Sequence, residues 1–150
     1  MFTNLLKYSI AFMLVLSITE IVAQENSLTV HVGNVKSSIG EIHIGVYKSQ
    51  EGYPYDKEIC TVYRFKAVKG VSTYTIKNIK AGYYAMAIYH DENDNDKCDT
   101  NFFGYPLEGY CFSNRKDIID ILPPSFETAK VKVSGASHTN ANIIYKSFFN

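Results

Sequence analysis

Tyr83-Tyr84-Ala85-Met86-Ala87-Ile88-Tyr89-His90 is the stretch of sequence that decides the fold. Successive side chains of a β-strand point to opposite faces, so residues of one parity share a face. One face here carries Tyr84, Met86 and Ile88, and the other carries Tyr83, Ala85, Ala87 and Tyr89. Because both faces are largely apolar, the stretch predicts a central strand that is covered on both sides.

Shorter segments with the period-two alternation of half-buried strands flank this stretch. They are Ser27–Lys36, Glu41–Lys48, Ile59–Val68, Val71–Lys77, Phe126–Ser134 and Asn140–Lys146. The first two read as a hairpin, and a short helical turn is expected over Asp117–Leu122, where Pro123 stops it. About seven strands with almost no helix predict an all-β fold, an antiparallel β-sandwich. One long loop, from Asp91 to about Ser125, would separate the central strand from the last two.

Residues 1–23 have the form of a secretory signal peptide. Lys7 supplies its positive start, Tyr8–Ile18 forms its apolar centre, and a cut is expected ahead of Gln24. The apolar run is shorter than the roughly 20 residues of a membrane-spanning helix, which argues against the alternative of an N-terminal anchor. We therefore expect an exported protein, in the periplasm or at the cell surface. Its mature part, residues 24–150, would be one domain without a membrane span.

Charge is balanced over the whole chain and concentrated in one place. The 15 basic and 15 acidic residues give no general reason to expect nucleic acid or an anionic membrane as a partner. Five of the acids, however, fall between Asp91 and Asp99. Charge that concentrated is costly unless it is solvated or holds a cation.

The acidic run matches the first part of a calcium-binding loop. With Asp91 as position one, the alternating ligand positions are Asp91, Asn93, Asn95, Lys97 through its backbone carbonyl, and Asp99. Position six is Asp96 rather than glycine and position twelve is Phe102 rather than glutamate, so further ligands would come from Glu108, a loop carbonyl or water. We expect weak calcium binding, with a Kd on the order of 10⁻⁴–10⁻³ M. The alternative is a solvated, turn-rich loop without a metal.

Aromatic residues crowd the second half of the same loop. They are Phe102, Phe103, Tyr105, Tyr110 and Phe112, and Tyr53 and Tyr55 would join them if the earlier loop lies nearby. One interpretation is a platform for carbohydrate or peptide, with Tyr53, Phe102, Phe103, Tyr105 and Tyr110 as candidate contacts. The other is a small satellite core beneath the long loop.

Three cysteines follow the signal segment: Cys60, Cys98 and Cys111. Export permits a disulfide, and the odd number leaves one thiol over. Cys98 and Cys111 bracket the aromatic part of the loop, so we predict that pair, which would stabilise the fold by about 3 kcal/mol in the chain-entropy model. The alternative is three free, buried thiols.

Signals for catalysis are weak. His90, Asp91 and Glu108 offer residue types that a hydrolase uses, but the sequence has no Gly-x-Ser-x-Gly nucleophile turn. We expect a non-enzymatic binding or structural module. A hydrolase acting through those three residues is one alternative, and a metal-free structural protein of the cell envelope is another.

The segment from about Leu28 to Tyr145 resembles a family of bacterial exported proteins known as domain of unknown function 2141. The matching pieces include Gly82–Ala87, His90–Asn93, Asp99–Gly104, Glu108–Tyr110 and Phe112–Asn114. The resemblance implies a sandwich of the immunoglobulin or prealbumin type in an exported protein, and it implies no activity. Members usually have glycine where this chain has Asp94 and Asp96. They usually lack Cys98 and Cys111, so a disulfide there would be particular to this chain.

Overall fold

The computed structural model describes residues 25–114 and 123–145. The expected signal segment, 1–23, and the expected helical turn, 117–122, lie outside those two ranges. Within them, no helix has both the length and the apolar character needed to cross a membrane.

Two sheets make up the described part of the chain. The strands are β1 (Ser27–Val35), β2 (Glu41–Tyr47), β3 (Thr61–Lys66), β4 (Gly70–Lys77), β5 (Gly82–Asp91), β6 (Gly109–Phe112), β7 (Val131–Val133) and β8 (Ala136–Asn142). The smaller sheet has the order β4-β1-β8 and the larger has the order β3-β2-β5-β6, with β7 paired to the start of β5. Strand β8 runs parallel to β1, and the other pairs are antiparallel. The predicted all-β sandwich is confirmed.

Strand β5 is a central strand of the larger sheet, as its sequence predicts. One face of that sheet, which we call the inner face, packs against the smaller sheet, and Met86 and Ile88 lie there in the main core. On the opposite, outer face, Ala85 and Tyr89 pack in a second cluster with Phe112 and other aromatic residues. The larger sheet is therefore covered on both sides, and the outer covering is made by loops.

The predicted hairpin of the first two strands is wrong. Strand β1 pairs with β4 and β8, whereas β2 pairs with β3 and β5, so the turn at Ser37–Gly40 crosses from one sheet to the other. Gly40 has a φ of 75°, and a Cβ there would lie 1.9 Å from the backbone oxygen of Asp91. Alternation in a sequence shows which side of a strand is buried, but it does not show which strand is its neighbour.

The long loop is also less irregular than predicted. It contains β6, which pairs with β5 from Ala87↔Phe112 to His90↔Gly109. All four residues of β6 are buried. A four-residue strand buried on both faces has no alternation of apolar and polar residues, so the pattern that predicts half-buried strands is missing there.

Two predictions near the C-terminus need correction. Phe126–Ser134 is not one strand, because Phe126–Ala129 forms the short helix α1 and only Val131–Val133 is extended. The Ser125 side chain accepts a hydrogen bond from the backbone N–H of Thr128, an N-cap that favours the helix. The last strand is β8, at Ala136–Asn142, rather than Asn140–Lys146. Its polar, mostly exposed residues concealed it, since only Thr139 and Ala141 are buried.

Candidate functional site

A cavity of about 680 Å³ lies on the outer face of the larger sheet. Its floor is formed by side chains of the sheet, among them Tyr47, Tyr89 and Phe112. Its walls come from two loops, one spanning residues 54–60 and the other residues 96–106. The cavity therefore lies where the sequence predicted the aromatic cluster.

Beneath the loops, the aromatic rings pack edge to face. The ring of Tyr53 lies 5.2 Å from that of Tyr47, 6.3 Å from that of Phe112 and 6.1 Å from that of Phe126, all in T-shaped contacts. The Tyr47 hydroxyl also donates a hydrogen bond to the carbonyl of Pro54, at 2.8 Å. These contacts hold the 54–60 loop on the sheet, which makes Tyr53 part of a satellite core.

The predicted ligand-contacting aromatics thus divide into two groups. Phe103, Tyr105 and Tyr110 line the cavity, whereas Tyr53 is buried below it. Phe102 is 96% exposed, and Phe103 is 72% exposed. A satellite core and a ligand-binding platform were alternatives in the sequence. The structure contains the satellite core, and it also leaves Phe102 and Phe103 exposed above it.

The exposed rings sit on a well-formed turn. The side-chain oxygen of Asn101 accepts hydrogen bonds from the backbone N–H groups of Phe103, at 2.9 Å, and Tyr105, at 3.1 Å. The backbone N–H of Leu107 donates to the carbonyl of Asp99, at 2.7 Å. The turn is therefore a defined structure that holds two adjacent apolar rings in solvent.

The acidic loop begins where β5 ends. The carboxylate of Asp91 is buried and accepts hydrogen bonds from the backbone N–H groups of Asn95, at 3.1 Å, and Asp96, at 2.8 Å. These contacts bend the chain through two left-handed residues, Asp94 with φ 54° and Asp96 with φ 62°. The two positions are those at which the resembled family usually has glycine, the residue best suited to that conformation.

Three of the predicted calcium ligands come together. The Asn93 amide donates to the Asp99 carboxylate at 2.8 Å, and the Asn95 amide donates to both carboxylate oxygens, at 3.1 and 3.0 Å. The side-chain oxygen of Asn95 accepts the backbone N–H of Lys97 at 2.9 Å. Asp91 turns instead toward the backbone amides and His43.

Glu108 ties the two ends of the acidic loop together. Its buried carboxylate accepts hydrogen bonds from the backbone N–H of Glu92, at 3.0 Å, and from that of Asp99, at 3.1 Å. Burial raises the pKa of Glu108, and the two backbone hydrogen bonds oppose that shift. Glu108 thus fixes the loop through its backbone, a role that the sequence pattern did not reveal.

The three residues of the alternative hydrolase do not share a cleft. His90 lies in register with Ile42 on the inner face. Its Nε2–H donates a hydrogen bond to the Ile39 carbonyl, and its Nδ1 is hydrogen-bonded to the Tyr145 hydroxyl, both at 2.7 Å. Asp91, one residue later, has the opposite parity and turns to the outer face. His90 is accordingly a fully bonded core histidine.

His43 is the site residue that the sequence did not single out. It is 1% exposed on the outer face, in register with Tyr89, whose hydroxyl lies 2.8 Å from its Nδ1. Its Nε2 lies 3.6 Å from an oxygen of Asp91 and 3.9 Å from one of Asp96. Burial lowers the pKa of His43. Its outward parity was visible in the sequence, but the loops that cover it were not.

The predicted Cys98–Cys111 disulfide is not formed: all three cysteines are free thiols. Cys111 lies in the main core on the inner face, whereas Cys98 packs against the outer aromatic cluster, so the sheet separates them. Burial raises the pKa of Cys98 to about 11. Cys60 and Cys98 both line the cavity as small, weakly polar groups.

Comparison with known families identifies the chain. The profile of a family described as uncharacterized proteins conserved in bacteria (DUF2141) matches residues 30–141. The chain belongs to this family. A search of curated proteins and a search of solved structures each gave no significant match. The matched DUF2141 segment includes both sheets, the acidic loop and the cavity.

Proposed function

We propose that this DUF2141 protein is an exported, non-enzymatic binding module that holds a carbohydrate in the outer cavity, beside an acidic loop ordered by calcium. The observation that carries the proposal is the cavity of about 680 Å³, lined by aromatic rings on one face of a rigid sheet. Ligand sites in proteins are typically concave, largely apolar and about 300–1,000 Å³ in volume. Export rests on the signal-like pattern of residues 1–23.

The chemistry of the lining favours a sugar. A sugar ring has an apolar face, which stacks on an aromatic ring, and a polar edge, which needs hydrogen bonds. Phe103 and Tyr105 supply rings on the loop side of the cavity. His43, Arg64 and Asp96 line it too and supply polar and charged groups. Aromatic and polar surfaces therefore meet within one cavity of suitable size.

The exposed rings support the same function. Phe102 and Phe103 lie in a T-shaped pair, with ring centres 5.5 Å apart, on the turn built around Asn101. Large apolar side chains held in solvent by a specific turn are typical of a contact surface. In this proposal Phe103 closes over a ligand in the cavity, and Phe102 extends the apolar surface beyond it.

Calcium fits the loop next to the cavity. The side chains of Asn93, Asn95 and Asp99 already meet, and rotation of each amide about its last bond would turn oxygen toward Asp99 in place of nitrogen. With the Lys97 carbonyl and water they would supply hard oxygen ligands of the kind that calcium prefers, and Asp91 would join them by turning from its backbone partners. A bound calcium ion would also offset the repulsion among the acidic side chains, and the loop would then form a fixed wall of the cavity.

Binding of the purified protein to a panel of immobilised glycans tests the proposal. We expect at least one glycan class to bind, and Phe103→Ala and Tyr105→Ala to weaken that binding by about tenfold or more each, a loss of about 1.4 kcal/mol. Tyr83→Ala is the matched control, because Tyr83 is an exposed tyrosine of β5 outside the cavity lining.

Two results would contradict the proposal. The first is that no glycan binds while proline-rich or aromatic peptides do, which would assign the cavity to peptide. The second is that Tyr83→Ala weakens binding as much as the cavity variants do. An absence of any ligand, together with no response to calcium, would favour a metal-free structural protein of the envelope.

A further inference from the structure

The imidazole ring of His43 is only partly hydrogen-bonded among the described residues. Its Nε2 is fully buried and has no hydrogen-bond partner among the described residues. A buried polar nitrogen without a partner costs about 1–3 kcal/mol, so such atoms are rare and call for an explanation. On the other side of the same ring, Nδ1 is bonded to Tyr89. The deficit is therefore confined to the nitrogen that faces the acidic residues.

Carboxylate oxygens surround that nitrogen at a distance too long for hydrogen bonds. They belong to Asp91 at 3.6 Å, Glu41 at 3.6 Å and Asp96 at 3.9 Å. The ligand atoms of His43, Asp91 and Asp96 all lie within 4.8 Å of one another. Two zinc bonds of about 2.0–2.2 Å meeting at a tetrahedral angle would place their ligand atoms about 3.4 Å apart. The distances of 3.6 and 3.9 Å from Nε2 are a few tenths of an ångström longer than this, so a small inward movement of the ligands would place them around one ion.

We propose that His43, Asp91 and Asp96 bind a zinc ion, with a fourth coordination position open toward the outer cavity. One nitrogen and two carboxylate oxygens suit zinc and are a poor set for calcium, which prefers oxygen ligands alone. His43 and Asp96 both line the cavity, so an incoming group would reach the ion from that side. The site lies at the edge of the proposed carbohydrate cavity, which His43 and Asp96 also line, and it shares Asp91 with the proposed calcium loop.

The surrounding contacts orient the ligands as zinc sites require. A metal-binding histidine usually donates its other N–H to a neighbouring oxygen, which fixes the ring and its tautomer. The Tyr89 hydroxyl oxygen is in place to serve Nδ1 in this way, and with Nδ1–H as the donor the lone pair of Nε2 would face the carboxylates. Backbone N–H groups hold Asp91 in place. Two of the three ligands are thus positioned before any ion arrives.

Asp96 carries a competing contact. Its Oδ1 accepts a hydrogen bond from Nε of Arg64 at 2.8 Å. The Arg64 side chain is half exposed, so it can move into solvent when an ion takes its place, or it can keep Oδ1 while Oδ2 binds the ion. Glu41 pairs with Lys66 through its other oxygen, at 2.8 Å, and lies close enough to complete the site when no external ligand is present.

Titration of metal-free protein with Co²⁺ and then Zn²⁺ tests the site. We expect one equivalent of Co²⁺ to give the visible absorption of a tetrahedral complex, and one equivalent of Zn²⁺ to abolish it by displacement. Asp96→Asn should weaken zinc binding by more than about tenfold, because it removes a ligand and loss of even a supporting contact costs about 10–100-fold. Asn suits the left-handed backbone at this exposed position, so the variant should fold.

Asp94→Asn is the matched control, since it removes one charge from the same loop at an exposed, left-handed position that belongs to neither ligand set. We expect it to keep the zinc affinity of the parent protein. His43→Gln should lose the cobalt spectrum as well, which identifies the nitrogen ligand. The proposal is overturned if neither ion binds stoichiometrically, or if Asp96→Asn and the parent protein bind zinc equally. It is also overturned if Asp94→Asn loses as much zinc affinity as Asp96→Asn.

Discussion

Two buried histidines on neighbouring strands show how the two faces of the larger sheet differ. His90 of β5 lies on the inner face with both ring nitrogens hydrogen-bonded, whereas His43 of β2 lies on the outer face with one nitrogen bonded. The inner face is packed like a core and has no unmet polar group at this point. The outer face holds a buried polar nitrogen for which the described residues supply no hydrogen-bond partner. Both histidines are buried, but His90 stabilises the core, whereas His43 belongs to the proposed zinc site.

We expect truncation to be costly in the core beneath the inner face and nearly silent on the exposed turn above the outer face. Met86→Ala on the inner face should lower the free energy of unfolding by about 2–5 kcal/mol, since a fully buried side chain leaves a cavity. Phe103→Ala on the exposed turn should change it by about 0.5 kcal/mol or less. Urea denaturation of both variants measures the difference. Equal losses would show that the outer loops belong to the same cooperative core.

The histidines themselves give the next largest effect. His90→Leu leaves the Tyr145 hydroxyl and the Ile39 carbonyl without their partner, at a cost of about 1–3 kcal/mol. In metal-free protein, His43→Leu should cost less, because it also removes the unbonded Nε2. Thermal and urea unfolding of the pair, without metal, provide the measurement. A larger loss for His43→Leu would mean that Nε2 has a stabilising partner.

How far the sequence predicted this contrast depends on the range of the contacts involved. The two faces of β5 were readable, because Met86 and Ile88 alternate with smaller or aromatic residues within one short segment. The register that places His43 beside Tyr89 was not readable, since it joins strands 46 residues apart in the chain. Alternation within a strand is local information, and strand pairing is not.

The candidate site was predictable to the same extent. The oxygen-rich spacing from Asp91 to Asp99 is a local pattern, and three of its side chains do meet. The zinc site combines residues of β2 with residues after β5, so no single segment could indicate it. The disulfide prediction failed for a related reason. Closeness in sequence placed Cys98 near Cys111, but the strand β6 turns Cys111 to the opposite face.

Calcium should stabilise the outer layer by a smaller amount. With a Kd on the order of 10⁻⁴–10⁻³ M, about 1 mM calcium should raise the free energy of unfolding by about 0.4–1.4 kcal/mol. Asp99→Asn should remove most of that gain. Asp94→Asn is the matched control, because it deletes the same charge from a loop position outside the predicted ligands. Calorimetry and thermal unfolding with and without calcium measure the effect, and equal responses of the two variants would count against the ligand assignment.

The smallest effect concerns Glu108 and its dependence on pH. Burial raises its pKa in the folded protein, so the folded state takes up a proton more readily than the unfolded state does. The stability linked to that proton is fully present below the ordinary pKa of a glutamate and is lost as the pH rises through the raised value. As the pH rises from the ordinary glutamate pKa through the raised pKa, the parent protein should therefore lose stability relative to Glu108→Gln, since glutamine does not titrate. Backbone hydrogen bonds from Glu92 and Asp99 stabilise the charged form and keep the effect small. Urea denaturation of both proteins across the acid range measures it, and a difference that grows in the opposite direction would mean that the hydrogen bonds outweigh burial.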